Sequence, residues 1–471
     1  MDCTRVGTVD CIGRQVDAPV SLRFTSRVIA LAGSARLPLS PTITLSLLSL
    51  PSYNHNFLFS KVNSIFETDI ESNLTMAPVQ HEDTSLLFLA PPRKTINYQT
   101  VKDAYQDTLA SSLKRLSELK SSSSPKVLDV AVFCPFLYNQ PSTPRSALYP
   151  QLQKLISCLY KLIVITAAKE SIDLDVAGSV DARILIAVPR LNNESFGPIV
   201  SLKSLAIRTL DRIFIAGDAA ELPDAEFSLL EKQKAGVEII WLPGLDTETW
   251  IQTSDHSLHE FSSEFHRKHY DVAVGGTFDH LHIGHKLLLT MFALALDAPD
   301  SGRTIRTLTV GITGDALLKN KKYAEVLESW YDRQKSVQRF LSAIMDFRPE
   351  ASRKIRVEEQ KEEGPNGHAV NVWLSENLVI KCVEIWDPFG PTITDEKISA
   401  LVLSGETRSG GKAVNDRRRD QGWPDLEVFE VDVLDTEEAQ ETDADEYFKN
   451  KISSTELRRL QIEKGKGSSK F

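Results

Sequence analysis

The feature that most constrains the fold is a series of short, continuous apolar runs closed off by turn-forming or charged residues. KVLDVAVFC from Lys126, ARILIAVP (182–189), DRIFIAGD (211–218) and GVEIIWLPG (236–244) are of this kind. A strand wetted on one face alternates apolar and polar residues. A run without alternation suits a strand covered on both faces, as in a parallel sheet flanked by helices. Between these runs, about 100–119 and 148–168, apolar residues recur at helical spacing, and SLLFLAPP near Thr84 reads as one more strand. SSSSP (121–125) marks a break. Strands alternating with helices over 84–255 predict an α/β domain. It carries no catalytic motif, and its role is not legible.

A second domain is expected over 268–462, opening with YDVAVGGTFDHLHIGH. Here 272–274 reads as a strand, Gly275-Gly276 as a turn and about 284–296 as a helix. IRTLTVGIT (305–313) is a second strand, and a helix of roughly 327–346 completes a β-α-β-α unit. KIRVEEQ leads to EEGPNGH (362–368), read as an exposed loop; VNVWLSE, LVIKCVEIWD, ALVLSGET (400–407) and EVFEVDVLD (427–435) are strand candidates. The acidic stretch 435–446 reads as a solvated loop, a last helix starts near Ser453, and 463–471 reads as a disordered tail. At 471 residues the chain exceeds what one core holds, which agrees with two domains.

A net charge of −10 excludes a mainly electrostatic nucleic-acid binder. Five cysteines without a C-x-x-C pair indicate a reducing compartment, small buried side chains and no structural zinc. Residues 1–80 read as a disordered extension. Arginines scattered among serines between Asp17 and Glu67 also suit a mitochondrial presequence, whereas Asp2, Asp10 and Asp17 do not. Met76 offers an alternative start. The run Leu45–Leu50 is broken by Pro38, Pro41 and Pro51 and cannot supply the ~20 residues of a membrane span. The expected location is the cytoplasm, with the mitochondrion as the alternative through the N-terminal segment.

A strand ending in Gly-Gly-Thr and feeding a helix suits phosphate: glycines let the backbone approach, and first-turn N–H groups with the helix dipole attract an anion. His282 and His285, three apart, share a face at that helix start and can donate to phosphate oxygens. The string GGTFDHLHIGH resembles the nucleotidyltransferase superfamily that includes phosphopantetheine adenylyltransferases and cytidylyltransferases. Class I aminoacyl-tRNA synthetases share HIGH, but their Lys-Met-Ser-Lys-Ser loop is missing here. Further stretches are similar to eukaryotic-type, fungal-like phosphopantetheine adenylyltransferases. They are LLKNKK (317–322) followed by Asp332-Arg333; WDPFGP (386–391); SGET (404–407) with Gly411, Asn415 and Arg418; and ISST (452–455) with Arg458. Gly405 departs from the acid usual there. The resemblance covers about 270–460.

It implies a Rossmann-like parallel sheet and transfer of AMP from ATP to 4′-phosphopantetheine, giving dephospho-coenzyme A and pyrophosphate. It implies His285 and Lys321 as catalytic. Gly275, Gly276, Phe278, His282, His285, Glu406, Ser453, Ser454, Thr455 and Arg458 would bind ATP, and Thr277, Lys321 and Lys322 the phosphopantetheine. Lys319 remains an alternative among the lysines, which as a group also fit a solvated turn. Magnesium would accompany ATP, held largely by phosphates and water, with no protein ligand legible. SSTE also fits a capping box, with Ser453 as cap and Glu456 at N3. Arg333 reads equally as an ion-pair partner and Arg417–Arg419 as an exposed helix face. No G-x-x-x-x-G-K-[ST] occurs, so no fused kinase is expected. The alternatives are a cytidylyltransferase of a phosphorylated alcohol and a scaffold subunit alongside other coenzyme A pathway enzymes.

Overall fold

The computed structural model describes residues 83–92, 95–119, 125–137, 143–174, 179–191, 196–216, 236–242, 266–300, 304–431 and 454–468, giving the backbone alone for 406 and 464–468. The chain divides into Met1–Val79 and Gln80–Phe471, and every described residue belongs to the second unit. The extension read over 1–80, the loop over 435–446 and the end of the 84–255 domain therefore lie outside the described residues.

Strands β1 (Thr84–Leu89), β2 (Lys126–Phe133), β3 (Val180–Val188), β4 (Ile199–Ser201), β5 (Arg212–Ala216) and β6 (Glu238–Leu242) form a sheet of order β4-β3-β2-β1-β5-β6. Every pairing in it is parallel. The apolar runs are buried on both faces, β1 and β2 without exception, as continuous hydrophobicity demands. Helix α1 (Tyr98–Ser117) starts at an Asn97 capping box and buries Val101, Ala104, Tyr105, Leu109, Leu113 and Leu116. Helix α2 (Arg145–Lys169) is apolar on nearly every side and correspondingly buried along most of its length. The short α3 (Leu202–Ile207) follows β4.

The second sheet contains β7 (Asp271–Gly276), β8 (Arg306–Thr313), β9 (Arg356–Lys361), β10 (His368–Ser375), β11 (Leu378–Ile385), β12 (Ala400–Ser404) and β13 (Glu427–Val431). Its order is β13-β12-β7-β8-β11-β10-β9. The five strands from β13 to β11 are parallel, with the order of a doubly wound, Rossmann-like sheet; β10 and β9 add an antiparallel edge. That edge departs from the sequence reading. EEGPNGH is a tight turn, closed by the Glu362 N–H donating to the Gly367 carbonyl at 2.8 Å, and it folds KIRVEEQ back as β9. So short a connection can join only antiparallel neighbours.

The helices are α4 (Ile283–Leu294), α5 (Trp330–Met345), α6 (Arg408–Asp420) and α7 (Ser454–Ser468). Helix α7 runs on to Ser468, where the sequence placed a tail from 463, because propagation adds a hydrogen bond per residue and the Arg459–Glu463 pair supports the turn. The two sheets share one apolar core. Helix α4 is buried at every position from Lys286 to Leu294, and α2 packs on it with Tyr160 Oη 3.1 Å from Thr290 Oγ1.

The exposed face expected over Arg417–Arg419 is corrected at Arg418, which is 1% exposed. Its guanidinium donates to the carbonyls of Thr392, Asp395, Glu396, Ile398 and Pro424 at 2.7–3.4 Å. Gly411 and Asn415 serve the same end. A Cβ on Gly411 would meet Val428 Cγ1 at 3.0 Å, and the Asn415 amide exchanges two hydrogen bonds with the Leu426 backbone. The G…N…R signature thus fastens α6 to β12 and β13. Arg418→Met leaves several buried carbonyls unpaired, each worth about 1–3 kcal/mol. Urea unfolding is expected to show a loss on the order of 3 kcal/mol.

Candidate functional site

In an open parallel sheet ligands bind beyond the carboxyl ends of the strands where the order reverses. Here that point lies between β7 and β12. The turn expected at Gly275-Gly276 is corrected: both glycines are the last residues of β7, paired with Gly311 and Ile312 of β8, and the chain bends only from Thr277; β12 runs into Gly405–Thr407, a single 3-10 turn. Gly275 is exposed and nothing lies within 4 Å of where its Cβ would sit; at Gly276 a Cβ would meet the Phe278 ring at 3.0 Å. The next residues turn sharply: Phe278 and His280 have φ of +53° and +48°, a region non-glycine residues enter at a cost of order 1–3 kcal/mol each. Such strain persists only where the surroundings enforce it.

Three anchors enforce it. Phe278 is completely buried, backbone as well as ring, and so pins the turn from inside. Buried Asp279 accepts from the Glu328 amide at 2.9 Å and from Arg458 Nη1 at 2.5 Å, with His280 Nδ1 3.0 Å away. Burial pushes the Asp279 carboxyl up, but these bonds and the neighbouring cations outweigh it and hold it below the usual range. The third anchor is Arg333, fully buried on α5. It donates to the carbonyls of Thr277 (2.6 Å), Thr313 (2.8 Å) and Glu328 (3.1 Å), and to Asp315 Oδ1 (2.6 Å). The ion pair read from sequence is present, and the three carbonyls are what sequence could not show.

His282 caps α4: its Nδ1 accepts the Gly284 N–H at 3.2 Å, so in the neutral ring Nε2 carries the proton. Nε2 lies 3.2 Å from Ser454 Oγ at the start of α7, some 172 residues along the chain. His285 stacks on His282 with centroids 3.9 Å apart, and its Nδ1 is buried without a hydrogen-bond partner. Burial pushes both imidazoles down, His282 well below its ordinary value and His285 to about 4.

The remaining residues divide. Arg458 is 2% exposed and committed to Asp279, Thr455 Oγ1 (3.2 Å) and the Lys322 carbonyl (3.1 Å), so it ties the lysine turn to the last helix. Lys319, Lys321 and Lys322 are exposed, and their ammonium groups have no partner among the described residues. Thr277 is half-buried at the turn and Thr455 exposed at the start of α7. Ser453 and the Glu406 side chain lie outside the described residues. Glu456, read as part of a capping box, is engaged by Arg459. Asp387 holds the DPFGP turn by accepting from Phe389 and Gly390 N–H at 2.7 and 2.8 Å.

Sequence reading missed Asp279 as the centre of the turn and Lys286 behind it. Lys286 is 3% exposed and pairs with Asp181 of β3. A charged residue directly after HIGH, amid an otherwise apolar helix, was the available signal. A cavity of about 630 Å³ adjoins this pair, lined by Asp181, Arg183, His282, Lys286, Phe340 and Leu460.

Residues 273–460 match the cytidylyltransferase-like family, and residues 76–223 match a domain of unknown function. The nucleotidyltransferase-like part is thus the second sheet with its helices. Among similar proteins, an uncharacterized protein of Schizosaccharomyces pombe is 36% identical over 186 residues, 40% of this chain and 46% of that one. A phosphopantetheine adenylyltransferase of Saccharomyces cerevisiae is 33% identical over 193 residues, 41% of this chain and 49% of that one. A phosphopantetheine adenylyltransferase of Methanothermobacter thermautotrophicus is 26% identical over 197 residues, 42% of this chain and 88% of that one. The chain spans about half the length of the two fungal relatives. Among the described residues no helix is long and apolar enough to cross a membrane.

Two outcomes test this geometry. A lysine cannot reproduce the fork of donors Arg333 supplies, so Arg333→Lys is expected to lower the melting temperature by several degrees. For pH, a histidine held neutral in the fold takes up a proton on unfolding below its free pKa of about 6.5. The folded state therefore loses stability as pH falls from about 6.5 toward 4, and a chemical-denaturation series should show this loss shrinking in His285→Gln.

Proposed function

We propose that the second sheet and its helices transfer AMP from ATP to 4′-phosphopantetheine, releasing pyrophosphate and forming dephospho-coenzyme A. The observation that carries this reading is the meeting of His282 Nε2 with Ser454 Oγ beside His285, whose Nδ1 has no hydrogen-bond partner, at the switch point of the sheet. In this reading donors from both ends of the domain surround one space beyond the Gly-Gly end of β7. The adenylyltransferase names of the yeast and archaeal relatives support the acceptor.

The chemistry needs no protein nucleophile. A phosphate oxygen of the acceptor attacks the α-phosphorus in line, and pyrophosphate leaves with the electron pair of the broken bond. In this reading the N–H groups at the start of α4 and the Gly275-Gly276 backbone receive the triphosphate. His285 donates to the α-phosphate as charge builds there, and His282 donates beside it from Nε2. Lys321, with Lys322 next to it, bridges the acceptor and α-phosphates from the exposed turn, and Thr277 hydrogen-bonds the acceptor. Ser453, Ser454 and Thr455 present the start of α7 to the β- and γ-phosphates, and Arg458 acts by holding that helix against the lysine turn. In this reading Glu406, beyond β12, also binds the ATP.

Magnesium would travel with the triphosphate. Among the described residues the cluster with metal-ligand spacing is Asp279, His280 and Glu328, and its atoms are engaged with one another and with Arg458. These residues do not fit a protein-held ion, and no step is assigned to one.

The test is pyrophosphate release with ATP and phosphopantetheine, set against CTP and phosphocholine. The first pair is expected to turn over and the second not. The reverse result would establish a cytidylyltransferase, the activity that the matching family's description names. His285→Ala should lower kcat by about 10²–10³ with a loss of no more than a few degrees in melting temperature, because the ring packs on His282 and Phe278 but its Nδ1 has no hydrogen-bond partner. A variant that unfolds instead would assign that histidine a structural role.

A further inference from the structure

The first sheet carries no residue of the proposed reaction, yet one of its carboxylates reaches the helix that bears both histidines. Asp181, near the start of β3, pairs through Oδ1 with Lys286 Nζ; its Oδ2 accepts from Arg183 Nη2 at 2.8 Å and Nε at 3.2 Å. The side chains of Lys286 and Arg183 are each 4% exposed and that of Asp181 18%. Burial alone would push the Asp181 carboxyl up; Lys286 and Arg183 outweigh it and hold the carboxyl well below its ordinary range. The Asp181 carboxylate therefore keeps its charge inside the protein, beside both cations. A buried pair of this kind adds little to stability against apolar replacements, so its retention fits a demand for geometry.

The geometry it controls is the first turn of α4. The Lys286 N–H donates to the His282 carbonyl at 2.9 Å, and Gly284 N–H to His282 Nδ1 at 3.2 Å. Fixing the Lys286 side chain to β3 fixes how this turn is rolled about the helix axis, and with it the direction of the stacked His282 and His285 rings. Apolar contacts are non-directional, whereas the Lys286 ammonium must stay within reach of an Asp181 carboxylate that Arg183 holds through Nε and Nη2. The Tyr160–Thr290 hydrogen bond, one turn further on, secures the same helix from α2.

We propose that Asp181 is a positioning residue for the transferase: from the first sheet it anchors Lys286, and through Lys286 the turn that aims His282 and His285. The first domain is then part of the catalytic unit. This inference rests on the adenylyl-transfer reading. A misdirected donor pair weakens stabilisation of the transition state more than binding of the triphosphate, which many other groups share, so kcat should suffer while KM for ATP does not.

The experiment uses full-length wild type, Asp181→Asn, Lys286→Met and the double variant. Each is measured for steady-state pyrophosphate release and for the imidazole ¹⁵N signals of labelled histidines. Asp181→Asn is expected to lower kcat about tenfold or more with KM for ATP within about twofold of wild type. The double variant should be no slower than the slower single variant, because both singles break one device. Unchanged kcat in Asp181→Asn, or effects that multiply in the double variant, would overturn the proposal. Should wild type release no pyrophosphate, the reaction assignment fails. The inference is then decided by the His282 and His285 signals, whose shift in Asp181→Asn supports it and whose constancy overturns it. Should Asp181→Asn alone not fold, the double variant, in which neither member of the pair is charged, decides by the same two readouts.

Discussion

The pairing of Arg458 with Asp279 is the contact on which the rest of the site depends. Both side chains are buried, and each reaches a different part of the chain: Asp279 belongs to the strained turn after β7, Arg458 to the last helix. A guanidinium has donors in several directions, so the same group also reaches Thr455 and the Lys322 carbonyl. One interaction thereby brings together the turn after β7, the lysine turn and the start of α7. Two charges out of water are a poor source of net stability. Their use here is register: with the fork occupied, α7 has one way to lie across the turn, and Ser454 comes to His282.

The same economy recurs around the sheet. Arg333, Arg418 and Arg458 are among the largest fully buried side chains, and all three donate mainly to backbone carbonyls or to one acid. Arginine suits this because its charge persists when buried and its five donors satisfy several carbonyls that loops would otherwise leave unpaired. Loops at the carboxyl ends of strands cannot pair with each other as strands do, so they borrow donors from helices. Arg333 and Arg458 thus hold the turns of the proposed site in place, while Arg418 fastens α6 to the sheet.

Much of the fold was legible because its signals are local. Unbroken apolar runs marked β2, β3 and β5, and helical spacing marked α1 and α2, each within a few residues of its observed ends. The antiparallel edge was missed because KIRVEEQ is exposed along its whole length, and an exposed strand carries no apolar signature. The tail from 463 was misjudged because glycines read as breakers even where a helix is already propagating. For the candidate site, the pattern of glycines and histidines located the helix start. It could not tell that Phe278 is buried to the last atom or that Arg458 is spent on Asp279, since neither fact depends on residues nearby in sequence.

By itself the sequence determined two α/β halves and the helix start that bears His282 and His285, since strand burial and helix capping act between residues a few positions apart. Only the tertiary structure decided which charges are free and which are committed. Lys321 and Lys322 stay exposed while Lys286, in the first turn of α4, is drawn into an ion pair with Asp181, 105 residues earlier in the chain. A lysine looks the same in sequence in either setting. What separates them is desolvation: the buried ammonium must have a partner and the exposed one need not, and whether a side chain is buried is settled by how the sheets pack.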